Sequence, residues 1–153
     1  MKTLKRAVEI FLFVVAGGLL AVNTAHAAVS CHKINAKGVG QDLGGGITEA
    51  KIIGGGLLHG TTQGSFAITG GVPPVLSIAG TVTFTANKAT LTVTVTGTFN
   101  VEDGNFMASG PVTAATGKLA GATGTLVLDG IEDLTTGTFV EDVGGLICVD
   151  LTP

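Results

Sequence analysis

Arginine occurs once in this chain, at Arg6, and no cluster of lysines stands in for it. Nucleic acids are held by neutralising their phosphates with lysine and arginine, so the composition argues against that partner. Tryptophan and tyrosine are absent, which leaves few groups able to stack on or orient a polar ligand. Helical patterning is almost missing as well. Residues 48–53 could start a helix, but Gly54-Gly55-Gly56 would stop it within two turns. Ser65 and Ser109 have no Ser-His-Asp context, and there is no G-x-S-x-G elbow, phosphate loop or dinucleotide fingerprint. No cofactor is expected from these residues.

The one long apolar run lies at the start. Lys2, Lys5 and Arg6 precede an apolar stretch over residues 10–22, followed by Asn23-Thr24 and then Ala25-His26-Ala27. Basic leader, short apolar core and a small-x-small site predict a secretory signal peptide over 1–27, cleaved after Ala27. The run is shorter than the ~20 apolar residues of a membrane span, and Glu9 reads as the end of the basic region. An alternative makes Cys31 a lipid-bearing N-terminal cysteine, although Ala28, Val29 and Ser30 lack the leucine usual before such a site. The expected product is secreted or periplasmic, with no membrane span in the mature chain and its oligomeric state left open. Residues 28–153 carry five lysines and ten acids, a net charge of −5, and a chain of this length buries one core. A single domain over 28–153 is expected.

Two cysteines remain in that domain, Cys31 near its start and Cys148 near its end. In an oxidising compartment they predict one disulfide, which sets the first and last strands side by side. Neighbouring ends favour a closed barrel over an open meander. With only His32 nearby, a reactive thiol or a metal site is the weaker reading.

Between the cysteines the period is two. Leu76, Ile78, Gly80, Val82 and Phe84 alternate with small and hydroxylated residues, then Leu91, Val93 and Val95 alternate with Thr90, Thr92, Thr94 and Thr96. Each strand thus has an apolar face and a threonine face, which suits a wet exterior because threonine fits the pleat and keeps its hydroxyl solvated. Residues 86–89 form a hairpin turn, and Asp103-Gly104 signals a second between 98–101 and 106–113. Pro111 marks an edge, a bulge or a strand end. Further strands are expected over 125–131, 136–140 and 146–151, with acidic turns at Glu132-Asp133 and Glu141-Asp142. Less regular strands are read at 34–39, 47–53, 57–59 and 65–69, with 70–74 as a loop. This makes eight to ten short antiparallel strands in an all-β barrel, with a β-sandwich as the alternative.

Chemistry-bearing candidates are few. His59, in the apolar phrase GLLHG, is the candidate for a pocket residue, although a histidine there is more commonly satisfied or partly exposed. Glu102-Asp103, Glu132-Asp133 and Glu141-Asp142 offer oxygen ligands, but none has the spacing of a calcium loop and turn acids are mostly solvated, so no metal site is assigned.

The segment over 116–126, TGKLAGATGTL, is punctuated by Gly117, Gly121 and Gly124 and reads as a sharp crossing between two strands, a barrel corner. Thr116-Gly117, Leu119, Gly121-Ala122 and Gly124 resemble the glycine-rich turn of allene oxide cyclase and dirigent barrels. The resemblance implies an eight-stranded antiparallel barrel of calycin-like form with an apolar cavity, and an activity of cyclising an oxylipin or guiding phenolic coupling by positioning the substrate. It covers about a dozen positions and carries over no catalytic carboxylate. Three functions are therefore expected in competition: a barrel that binds a small apolar ligand, a cyclase or isomerase on the same scaffold, and a structural or adhesive surface protein with a solid interior. An interior cavity of about 300 Å³ or more would favour the first two, and a buried acid or His59 facing it would favour the enzyme.

Overall fold

In the computed structural model, which describes residues 28–151, eight antiparallel strands close into one barrel in sequence order. They are β1 Ser30–Gly44, β2 Ile47–Gly54, β3 Gly60–Val72, β4 Val75–Ala86, β5 Ala89–Asn100, β6 Asn105–Ala115, β7 Thr123–Glu132 and β8 Thr138–Val149. β8 returns to pair with β1, so the barrel has no open edge. Cys31 and Cys148 face each other across that seam and are disulfide-bonded, with Cα atoms 3.9 Å apart. Among the described residues no helix is long and apolar enough to cross a membrane. The signal-peptide segment 1–27 lies outside the described residues.

The alternation read in residues 76–96 is the pattern of the barrel wall. Val82, Phe84, Leu91, Val93 and Val95 are buried, Leu76 and Ile78 are half-buried, and Thr81 and Thr94 are exposed. Thr83 and Thr92, paired across β4 and β5, hydrogen-bond through their hydroxyls at 3.0 Å, which laces the outer face of the sheet. The turn at 86–89 holds, with Asn87 and Lys88 both at positive φ as a tight right-twisted hairpin requires.

Several strands run further than the alternation suggested, because glycines inside them break the side-chain pattern without breaking the pairing. β5 passes through Gly97, so 98–101 is the end of that strand and not a separate one. β3 runs to Val72, taking in most of the expected loop at 70–74. Pro111 lies within β6, and a register shift between Thr92 and Val93 leaves Thr113, two residues further on, as the extra residue of the β5–β6 pairing. Residues 57–59 are not a strand. Gly54, Gly55 and Gly56 all take positive φ, and the chain turns into a 3₁₀ segment at Gly56–Leu58 that drives Leu58 into the core. The expected turn at Glu141-Asp142 is also absent, since both lie in the middle of β8.

The glycine-rich segment is a barrel corner of a particular kind. After β6 a second 3₁₀ segment, Gly117–Leu119, tucks Leu119 into the interior before β7 begins. Gly117, Gly121 and Gly124 have φ of 60°, 76° and 140°, so all three adopt backbone that a side chain would strain. Leu58 and Leu119 plug the same end of the barrel, above a packed layer of Ile34, Ile52, Phe84, Leu91, Leu126 and Ile147. The half of the barrel that contains the disulfide is therefore solid.

A carboxylate in a phenylalanine-walled cavity

The other half is hollow. A cavity of about 580 Å³ reaches from Val82, Ala108 and Leu128 in the middle of the barrel to the β1–β2 turn at Gly45-Gly46. Phe66, Phe99, Phe106 and Phe139 line it, four of the five phenylalanines among the described residues, while the fifth, Phe84, is packed in the solid half. Phe106 and Phe139 meet edge to face with centroids 5.9 Å apart, a favoured aromatic geometry. Thr48 and Thr62 supply hydroxyls.

Three acids share this space: Asp42 from the end of β1, Glu132 from the end of β7, and Glu141 from the middle of β8. Glu141 points inward because β8 keeps its period, with Phe139, Glu141 and Val143 buried and Val140 and Asp142 exposed. Its cross-strand neighbours are both glycine, Gly38 on β1 and Gly130 on β7. A Cβ on Gly38 would come within 2.6 Å of the Glu141 Cγ and Oε1, so the missing side chain is the space the carboxylate occupies. On the other flank a Cβ on Gly130 would meet the Phe106 ring. Glu141 is 7% exposed, and among the described residues no hydrogen bond or ion pair reaches its carboxylate.

Burial without a partner pushes the Glu141 carboxyl up to about 7, since desolvation disfavours the charged form. Glu132 is also raised, first by burial and then by the negative charge of Asp42. Asp42 turns one carboxylate oxygen back to accept from the Gly44 backbone N–H at 2.8 Å. None of the five lysines among the described residues lines the cavity. Lys37 pairs instead with Asp142 on the outside.

This arrangement makes stability depend on pH. A carboxyl whose pKa rises from 4.5 to about 7 on folding holds more protons in the native state than in the unfolded state across that window. Its contribution is complete below pH 4.5 and is lost as pH rises through 7. The shift corresponds to about 3 kcal/mol. Glu141→Gln removes the titration while keeping the volume, so at pH 8 the variant should melt on the order of 10 °C above the parent, with the gap closing towards pH 4.5. Melting curves that stay parallel between pH 4.5 and 8 would contradict this placement of Glu141.

His59, the pocket candidate, is exposed just beyond the 3₁₀ segment at the solid end and does not line the cavity. The cavity's buried acid is Glu141, which the turn-like Glu-Asp pair concealed. The signal that could have found it is the alternation Phe139, Glu141, Val143, with an acid standing at an apolar position. Among the described residues no group of three His, Cys, Asp or Glu side chains is placed to hold a metal ion. Comparison with protein-family models, curated proteins and solved structures finds no match to this chain.

Proposed function

We propose that this protein is an exported barrel that takes a small apolar molecule into the hollow half of its interior. The observation that carries the reading is the cavity: about 580 Å³ falls within the ~300–1,000 Å³ typical of ligand sites, and its walls are mainly phenylalanine and aliphatic side chains. A packed structural barrel has no use for such a space. Export rests on the pattern of residues 1–27 and is in keeping with the disulfide.

A second reading, a cyclase or isomerase on the allene oxide cyclase-like scaffold, is favoured by one observation, the buried Glu141. A carboxyl poised near neutrality beside an apolar substrate can move a proton.

Binding is tested with 2-naphthylmethanol, a neutral apolar probe. The chain contains neither tryptophan nor tyrosine, so naphthalene fluorescence is read against a nearly dark protein. One saturable site is expected. Ala108→Phe, which places a ring in the cavity from β6, should weaken binding at least about tenfold, the effect of losing roughly 1.4 kcal/mol. Probe uptake that is unsaturable, or unchanged in Ala108→Phe, would count against the cavity as the site.

A further inference from the structure

The cavity has a sign. Its titratable residues are Asp42 from β1, Glu132 from β7 and Glu141 from β8, and the residues it draws from β2 to β6 carry no ionisable group. All three are acids, and none of the described lysines or histidines joins them. Glu141 is the deepest of the three and the most isolated, 7% exposed between two glycines, with a carboxylate that no described donor reaches. A buried carboxylate is ordinarily paired. Here the vacant side of the group is the cavity itself.

We propose that the ligand of this cavity is a small lipophilic amine, whose protonated nitrogen donates to the Glu141 carboxylate while its apolar body lies against the four phenylalanines. This rests on the reading of the hollow as a ligand site and names the chemistry of its occupant. Three features converge on a cation. The carboxylate gains the partner it lacks, and a charge-assisted hydrogen bond in a water-poor site is stronger than a neutral one. The walls present aromatic rings, whose faces attract ammonium groups when both are desolvated. Asp42 and Glu132 stand nearer the mouth, where like-signed acids raise the local concentration of cations and repel anions. Fatty acids and other carboxylate ligands are correspondingly disfavoured, since the cavity offers them no basic group. A metal ion is a poorer occupant, because hard cations take six or more oxygen ligands and the interior around Glu141 is apolar.

The amine changes the protonation of its own site. Burial raises the Glu141 carboxyl to about 7, and an incoming ammonium group stabilises its ionised form. Amine affinity therefore falls as pH drops below 7 and the carboxyl takes up its proton. Glu132, raised in the same direction, adds to that fall. A neutral ligand, which brings no charge to pair with the carboxylate, feels both effects far less.

The experiment compares three probes of one shape, 2-naphthylmethylamine, 2-naphthylmethanol and 2-naphthoate, titrated into the purified protein at pH 8 and at pH 5.5. At pH 8 the amine should bind at least about tenfold more tightly than the alcohol, as expected for one hydrogen bond to a charged group, and the naphthoate should bind most weakly. In Glu141→Gln the amine should lose its advantage and bind within about twofold of the alcohol measured on the same variant. An unchanged far-UV circular dichroism spectrum and a melting temperature at pH 8 no lower than the parent's show that the variant is folded. Moving to pH 5.5 should weaken the amine in the parent by a clearly larger factor than the alcohol. Equal binding of amine and alcohol to the parent would overturn the charge assignment and leave the apolar-ligand reading standing. An amine preference that survives Glu141→Gln would overturn the role of Glu141. Failure of all three probes to bind would overturn both readings.

Discussion

Val93→Asp is expected to leave the chain unfolded at room temperature, whereas Thr94→Asp, one residue along the same strand, is expected to fold and melt close to the parent. Val93 is 0% exposed in the solid half of the barrel, between Val82 on β4 and Val112 on β6. Losing its burial removes about 1.5–3 kcal/mol. Placing a carboxylate there adds the larger cost of an unpaired charge in a dry interior, several kcal/mol more. Their sum reaches the entire 5–15 kcal/mol by which domains of this size are stable. Thr94 faces outward and loses only a 3.1 Å hydroxyl contact with Thr113, a surface change of about 1 kcal/mol or less. Far-UV circular dichroism with thermal melts of both variants checks the pair. Equal behaviour would mean that the faces of β5 have been assigned wrongly.

Opening the disulfide should be the next largest effect. Cys31 and Cys148 are separated by 117 residues, and a crosslink closing a loop of that length restricts the unfolded chain by about 4–5 kcal/mol in the chain-entropy model. The seam it guards is the demanding one. Every other pair of neighbouring strands is joined by a short connection, while β1 and β8 are brought together from opposite ends of the domain. Cys31 is exposed on the outer face, so a mild reductant reaches it. Reduction, or the Cys31→Ser/Cys148→Ser double variant, should lower the melting temperature on the order of 15 °C. A shift of only one or two degrees would mean that pairing along the seam holds the barrel closed by itself.

What the sequence revealed, and what it hid, follow from the same rule of alternation. β4 and β5 were legible because valine, leucine and phenylalanine alternate with threonine, and the lone pair of cysteines announced the closure between β1 and β8. The wall was harder to trace where the inward position is glycine. Gly97 in β5 carries no side chain to mark its face, so that continuous strand reads as two pieces. Leu57 and Leu58 looked like a strand because they are apolar, and the three glycines before them turn the chain into a plug instead. Glu141 was hidden most thoroughly. Adjacent acids suggest a solvated turn, yet in an extended strand neighbours point in opposite directions, so Asp142 reaches Lys37 outside while Glu141 enters the cavity. A competing local signal, the chemistry of turns, outweighed a long-range one, the period of β8.

The phenylalanines that wall the cavity do not stand alone. Phe139 lies over Gly40 and Phe106 over Gly130, each ring filling the place of an absent methyl group. The width of the cavity is therefore set by pairs of residues on neighbouring strands. A side chain at either glycine would also strike a backbone carbonyl oxygen, that of Glu49 at Gly40 and that of Val140 at Gly130, so in a lineage of such barrels these two glycines stay fixed while the rings seated on them are free to change. Ligand choice would then drift through single substitutions of the rings, while the glycines under them and the solid half, with its disulfide and leucine plugs, stayed constant.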